Sequence, residues 1–221
     1  MNPVLAELRE AALIAVLRSR TAGDAIDVAH TLVQAGVTAL EITFTTPSAD
    51  TVISRLIREL DGRVLVGAGT VLDERQADAA LAAGAQFLVS PGMPAELGRL
   101  LEACGPVPLV PGVLTPTELM VALTHGVEAV KIFPAAILGP GYLSALLGPF
   151  PDAALIPTGG IDPVDVPSWI AAGALAVGVG GSLNPPHLGS EAERLALLNR
   201  ASALVTTTVA ARAAVKQGDI R

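Results

Sequence analysis

Short apolar runs recur along this chain at nearly even intervals, and a stretch rich in alanine follows each one. That alternation constrains the fold more than any single motif, because buried parallel strands read as continuous apolar runs and need a helical crossover between them. The runs are Leu13–Leu17, Ala39–Thr43, Val64–Ala68, Phe87–Ser90, Val107–Val110, Val127–Phe133, Ala153–Ile156 and Leu175–Val179. Between them the pattern predicts helices over 22–35, 50–60, 73–84, 95–104, 141–147 and 164–172, and one beginning at Thr115 and Pro116 as N-cap and first helical residue. A last helix is expected from about 191 to 216. Eight alternations in 221 residues, with no composition break to divide them, predict a single-domain (β/α)8 TIM barrel over 1–221. A doubly wound open sheet is the alternative, since periodicity does not report closure.

Hydrophobic residues make up 51% of the chain and charged residues 16%, as buried strands under helices require. A net charge of -7 and 3% aromatics argue against a nucleic-acid surface, which needs basic patches or stacking platforms. The single cysteine, Cys104, cannot close an internal disulfide and is read as a packed thiol. The amino-terminal stretch carries acidic residues ahead of its apolar part, unlike a signal peptide. Residues 166–190 lack Asp, Glu, Lys and Arg, but their glycines and Pro185-Pro186 oppose a membrane-spanning helix. The expectation is a soluble, cytoplasmic protein.

Of the fourteen lysines and arginines only Lys131 and Lys216 are lysines. Arginine stays protonated, whereas a buried lysine can become a nucleophilic amine. Lys131 lies inside the apolar run Glu128-Ala-Val-Lys-Ile-Phe-Pro134, so amine chemistry is the sharper reading. The plainer one is a packed stem whose head reaches water at a strand end. Active sites of such barrels form at the carboxyl ends of the strands. Arg18, Glu41, Thr43, Thr70, Ser90 and Lys131 all fall there. Glu41 then reads as a general acid/base beside the lysine, or as a salt bridge that only neutralises the pocket. The loops after the last two strands, Thr158-Gly-Gly160 and Gly178-Val-Gly-Gly-Ser182, suit a phosphate held by backbone N–H groups. The three histidines are scattered without metal-ligand spacing, so no metal and no cofactor is expected. His30, His125, Tyr142 and Trp169 read as surface or packing residues.

Seven motifs in order, Glu41-Ile-Thr-Phe-Thr-Thr-Pro47, Gly67-Ala-Gly-Thr-Val71, Ser90-Pro-Gly92, Pro111-Gly-Val-Leu-Thr-Pro-Thr-Glu118, Lys131-Ile-Phe-Pro-Ala135, Gly148-Pro-Phe-Pro151 and Pro157-Thr-Gly-Gly-Ile161, resemble the 2-keto-3-deoxy-6-phosphogluconate (KDPG) and 4-hydroxy-2-oxoglutarate aldolases. The resemblance implies a class I aldolase of Entner–Doudoroff type that cleaves KDPG to pyruvate and glyceraldehyde 3-phosphate. It implies that Lys131 forms the Schiff base and Glu41 moves protons. Arg18 and Thr70 would bind the pyruvate carboxylate, Pro91 and Phe133 would wall the pocket, and Gly159, Gly160, Gly181 and Ser182 would hold the phosphate. It further implies a homotrimer. One departure is Thr45, where some members carry an arginine four residues after the glutamate; Arg18 would then hold the carboxylate alone. Relatives acting on the galactonate epimer or on hydroxy-oxoglutarate share the lysine and glutamate. A metal-dependent epimerase or lyase, and a silent sugar-phosphate binding barrel, are the rival readings.

Overall fold

Strand register in this protein is set by which residues can sit inside a closed sheet and which must face helices. In the computed structural model, which describes residues 1–185 and 187–218, the strands are β1 (Leu13–Leu17), β2 (Ala39–Thr43), β3 (Leu65–Gly69), β4 (Leu88–Val89), β5 (Leu109–Val110), β6 (Gly112–Val113), β7 (Ala129–Ile132), β8 (Ala154–Pro157) and β9 (Val177–Val179). All pair in parallel. One sheet runs β5-β4-β3-β2-β1-β9 and the other β6-β7-β8.

The fifth apolar run therefore differs from the expectation. It continues past Val110, and Pro111 divides it: β5 pairs with β4, whereas β6 pairs with β7. Proline has no N–H to give a ladder, which separates the two pairings. Its carbonyl still accepts from Lys131 N at 2.9 Å, so β5 and β6 serve as one barrel strand. On the other side a bridge between Thr158 and Gly178, with Leu175 N donating to Leu155 O at 2.8 Å, joins β8 to β9. The result is the closed (β/α)8 barrel, and the open-sheet alternative is set aside.

The covering helices are α2 (Ala22–Gln34), α3 (Ala49–Leu60), α4 (Glu74–Ala82), α5 (Leu97–Cys104), α6 (Pro116–Thr124), α7 (Pro140–Leu147), α8 (Val166–Ala171) and the long α9 (Glu191–Gly218). α2, α4, α6 and α9 begin where a side chain satisfies an orphan N–H group. Asp73 accepts from Gln76 N, and Thr115 with Glu118 forms a complete capping box. The expected residue range extends to 221, of which 219–221 lie outside the described residues, as does Pro186. Among the described residues no helix is long and apolar enough to cross a membrane.

The sequence reading also did not separate α1 (Pro3–Ala11). Asn2 caps it by accepting from Val4 N, while its own N–H and amide reach Glu128 and Pro106 O. The helix closes the amino-terminal end of the barrel. Leu5 and Leu8 are fully buried there with Ile14, Ala39, Leu65 and Ala129. Each such leucine contributes about 2 kcal/mol of apolar burial. With this floor in apolar contact, polar side chains can enter the barrel only above it.

Candidate active site

Period-two alternation decides the orientation of the two key side chains. On β2, Leu40 and Ile42 belong to the outer core under the helices, while Ala39 faces the interior floor. Glu41 is thus turned inward, one step above Ala39. On β7, Val130 and Ile132 pack outward and Ala129 inward, which turns Lys131 into the barrel as well. Both are almost fully enclosed, at 2% and 5% exposure. Lys131 Nζ lies 3.6 Å from Glu41 Oε1, at ion-pair distance. It also lies 5.1 Å from the Phe133 ring centroid, within cation–π reach.

Glu41 Oε1 is a buried acceptor that makes no hydrogen bond among the described residues. Such an orphan is costly in a finished core and common where a group must exchange a proton.

The pair opens upward into a cavity of about 270 Å³ at the carboxyl ends of the strands. Arg18, Thr70, Pro91, Phe133, Gly159, Gly160 and Gly181 line it. Nine of the ten residues expected at the site therefore border one space. Thr70 adopts φ +57°, a left-handed conformation that strains a β-branched residue and is characteristic of functional clamps. Gly159, at φ +97°, passes so close to Phe133 that a Cβ there would come within 2.7 Å of the ring. A larger groove of about 560 Å³ lies at the other end of the barrel between α1 and α9, far from the lysine and the carboxylate.

Ser182 is the tenth, and it does not line the cavity. Its carbonyl accepts from Arg200 Nε of α9 at 2.6 Å, and its hydroxyl is buried without a partner among the described residues. Ser90 is also turned away, donating to Gly92 O at 2.7 Å within its own loop.

Sequence reasoning missed Asn184, and gave no role to Thr43 and Thr158, all of which border the cavity. Asn184 donates to the Arg18 carbonyl at 2.6 Å and accepts from the Ser19 hydroxyl at 3.2 Å. Ser19 N in turn donates to the Thr46 hydroxyl at 3.1 Å, and Thr43 donates to Leu17 O at 3.0 Å. The loops after β1, β2 and β9 are thereby tied together across the mouth. Thr45, at the departing position, shares a 2.8 Å hydrogen bond with Thr43. Only the short spacing from Gly180-Gly181 could have pointed to Asn184.

The histidines stay apart. His30 pairs with Glu59, His187 with Asp24, and His125 with the carbonyl of Val121. The Asp24 carboxylate raises the pKa of the His187 ring above its usual value. Tyr142 donates to Leu114 O, and Trp169 is buried on α8.

The chain that carries this site is similar to known proteins. The family model described as KDPG and KHG aldolase matches residues 4–195. A 2-dehydro-3-deoxy-phosphogluconate aldolase of Pseudomonas aeruginosa is 42% identical over 164 residues, 74% of each chain. A 2-dehydro-3-deoxy-6-phosphogalactonate aldolase of Escherichia coli is 36% identical over 185 residues, 83% of this chain and 89% of that one. Among solved structures, the KDPG aldolase of Legionella pneumophila, with pyruvate captured as a covalent carbinolamine, superposes with a TM-score of 0.75 at 30% identity, covering 94% of this chain and 97% of that one.

Proposed function

The chain belongs to the KDPG and KHG aldolase family, and from that membership we propose that it cleaves 2-keto-3-deoxy-6-phosphogluconate reversibly to pyruvate and glyceraldehyde 3-phosphate through a Schiff base on Lys131. The observation that carries the proposal is the enclosed Lys131–Glu41 pair, 3.6 Å apart beneath a cavity bordered by the glycine loops.

The Lys131 amine adds to the C2 ketone to give a carbinolamine, which loses water to form an iminium. The iminium withdraws electrons from C3. Glu41 takes the proton of the C4 hydroxyl, the C3–C4 bond breaks, and its electron pair forms an enamine as the aldehyde departs. Glu41 then returns its proton to C3, and water hydrolyses the imine to release pyruvate and the free amine. Arg18 and Thr70 hold the pyruvate carboxylate, while Pro91 and Phe133 flank the imine. Gly159, Gly160 and Gly181 offer backbone N–H groups to the phosphate. Ser182 joins them if its buried hydroxyl turns toward the ligand.

Borohydride reduction in the presence of pyruvate, followed by peptide mass mapping, tests the mechanism. A pyruvyl adduct on the peptide containing Lys131 is expected, and a silent binding barrel or a metal-dependent epimerase gives none. A second reading, the galactonate epimer, is favoured by the 36% identity to the E. coli galactonate enzyme. Comparing kcat/KM on the two epimers and on 4-hydroxy-2-oxoglutarate separates these substrates.

The enzyme is further proposed to be a cytoplasmic homotrimer of Entner–Doudoroff metabolism. The prominently exposed Ile137 and Val164, 80% and 77% accessible in the single chain, support burial against neighbouring copies. Sedimentation at micromolar concentration tests the trimer.

A further inference from the structure

Glu41 is held by neighbours on one side that have no side chain. In the register of β2 against β3, Glu41 pairs with Gly67 and Thr43 with Gly69. Both glycines are inward positions of β3, and each leaves its volume to another residue. A Cβ at 67 would meet the Phe87 ring at 2.5 Å, so the ring occupies the lower space. A Cβ at 69 would lie 2.0 Å from Glu41 Oε1 and 2.6 Å from both Cδ and Cγ, so the carboxylate occupies the upper one. Real Cβ atoms do not approach other atoms that closely. With Phe87 below it, the glutamate leans along the strand direction over Gly69, and from there its oxygen lies 3.6 Å from Lys131 Nζ.

We propose that Gly69 is a positioning residue for the proton-transfer step: the empty inward face of β3 at residue 69 is the seat that aims the Glu41 carboxylate at the carbon adjacent to the Lys131 imine. The inference rests on the Schiff-base reading above and deepens it. Gly69 has ordinary strand geometry, since it is absent from the positive-φ residues, so alanine there adds no backbone strain. The clash falls on the Glu41 side chain from Cγ outward and on no backbone atom, so the side chain has to swing aside while the barrel is spared. Alanine at 69 therefore displaces the carboxylate and leaves the lysine where it is.

The two halves of the reaction report on this separately. Imine formation with pyruvate needs Lys131; exchange of the pyruvate methyl protons in deuterated water needs Glu41 to take a proton from that carbon and return a deuteron. In Gly69→Ala, borohydride trapping on Lys131 is expected to persist, while methyl exchange slows about 10- to 100-fold, the usual effect of an ångström-scale misplacement. Normal exchange in Gly69→Ala overturns the positioning role. Loss of the adduct together with exchange assigns residue 69 to the barrel itself and overturns it too. Absence of an adduct in the wild-type protein removes the Schiff-base reading, and this proposal falls with it for that distinguishable reason.

Discussion

Lys131 Nζ and Glu41 Oε1 stand 3.6 Å apart inside the barrel, close enough for mutual attraction yet with Oε1 free of any hydrogen bond among the described residues. A purely structural buried pair gains from short hydrogen bonds that offset its desolvation. The spacing here instead leaves both groups able to serve a third.

Replacing the lysine separates amine chemistry from charge. Lys131→Arg keeps a cation in the same wall but cannot form an imine. Turnover is expected to drop to background with the fold intact, measured by coupling pyruvate release to a dehydrogenase; preserved turnover defeats the mechanism.

Replacing the carboxylate separates binding from proton transfer. Glu41→Gln is expected to slow turnover by about 10²- to 10⁴-fold, the usual share of a positioned acid/base. Pyruvate trapping on Lys131 should remain detectable. An unaltered rate takes Glu41 out of the mechanism.

Asn184 fixes the backbone of Arg18 by one 2.6 Å hydrogen bond. Loss of a bond of this kind is worth about 1 kcal/mol, roughly fivefold in a binding constant. For Asn184→Ala the expectation is a KM for the keto-acid raised by about that factor at nearly constant kcat. A fall in kcat with unchanged KM contradicts a role through Arg18.

Cys104 is buried at the end of α5, and burial, aided by the charge of Asp78, pushes its thiol up to about 11. Only the thiolate is alkylated at an appreciable rate. In native protein at pH 8 iodoacetamide is expected to leave Cys104 unmodified, and in denaturant to label it fully, as intact mass reports. Rapid native labelling counts against this environment.

The capping box of α6 carries a pH dependence. The backbone N–H of Leu114, with the Thr115 hydroxyl and N–H, holds the Glu118 carboxyl below its usual range. A lowered folded value means that this stabilisation is present above the unfolded value of about 4.3 and disappears as pH falls through the folded one. Thr115→Ala is expected to cost about 1 kcal/mol at pH 7 by denaturant unfolding. Glu118→Gln should narrow its difference from wild type as pH falls below 4; a difference that widens there contradicts the assignment.

Much of this fold was legible because strand and helix signals alternate so regularly. The strand-end rule then puts Lys131, Glu41, Arg18 and Thr70 around one cavity. What stayed hidden depends on contacts distant in sequence. Glu41 and Lys131 face inward by a register that period-two alternation permits but does not choose; the apolar floor chooses it. Ser182 carries the right residue type beside two glycines, yet α9 draws its carbonyl toward Arg200. Asn184 was missed because its partner lies 166 positions away at Arg18. Strand five was cut short at Val110 because proline reads as a terminator, whereas here it marks the change from one neighbour to the next. The helix at 3–11 runs almost directly into β1, so one apolar stretch covers both, although Asn2 followed by Pro3 is a helix-start signal.

That helix imposes an order on how the molecule comes into being. Asn2 is anchored by Glu128, 126 positions later, and Ala12 O receives Val177 N from the final strand. A nascent chain emerging from the ribosome thus carries a greasy segment with nowhere to dock until most of the polypeptide has been made. Closure of the cylinder is a late event governed by long-range encounter, so this protein is expected to fold slowly for its size and to profit from shelter while it waits.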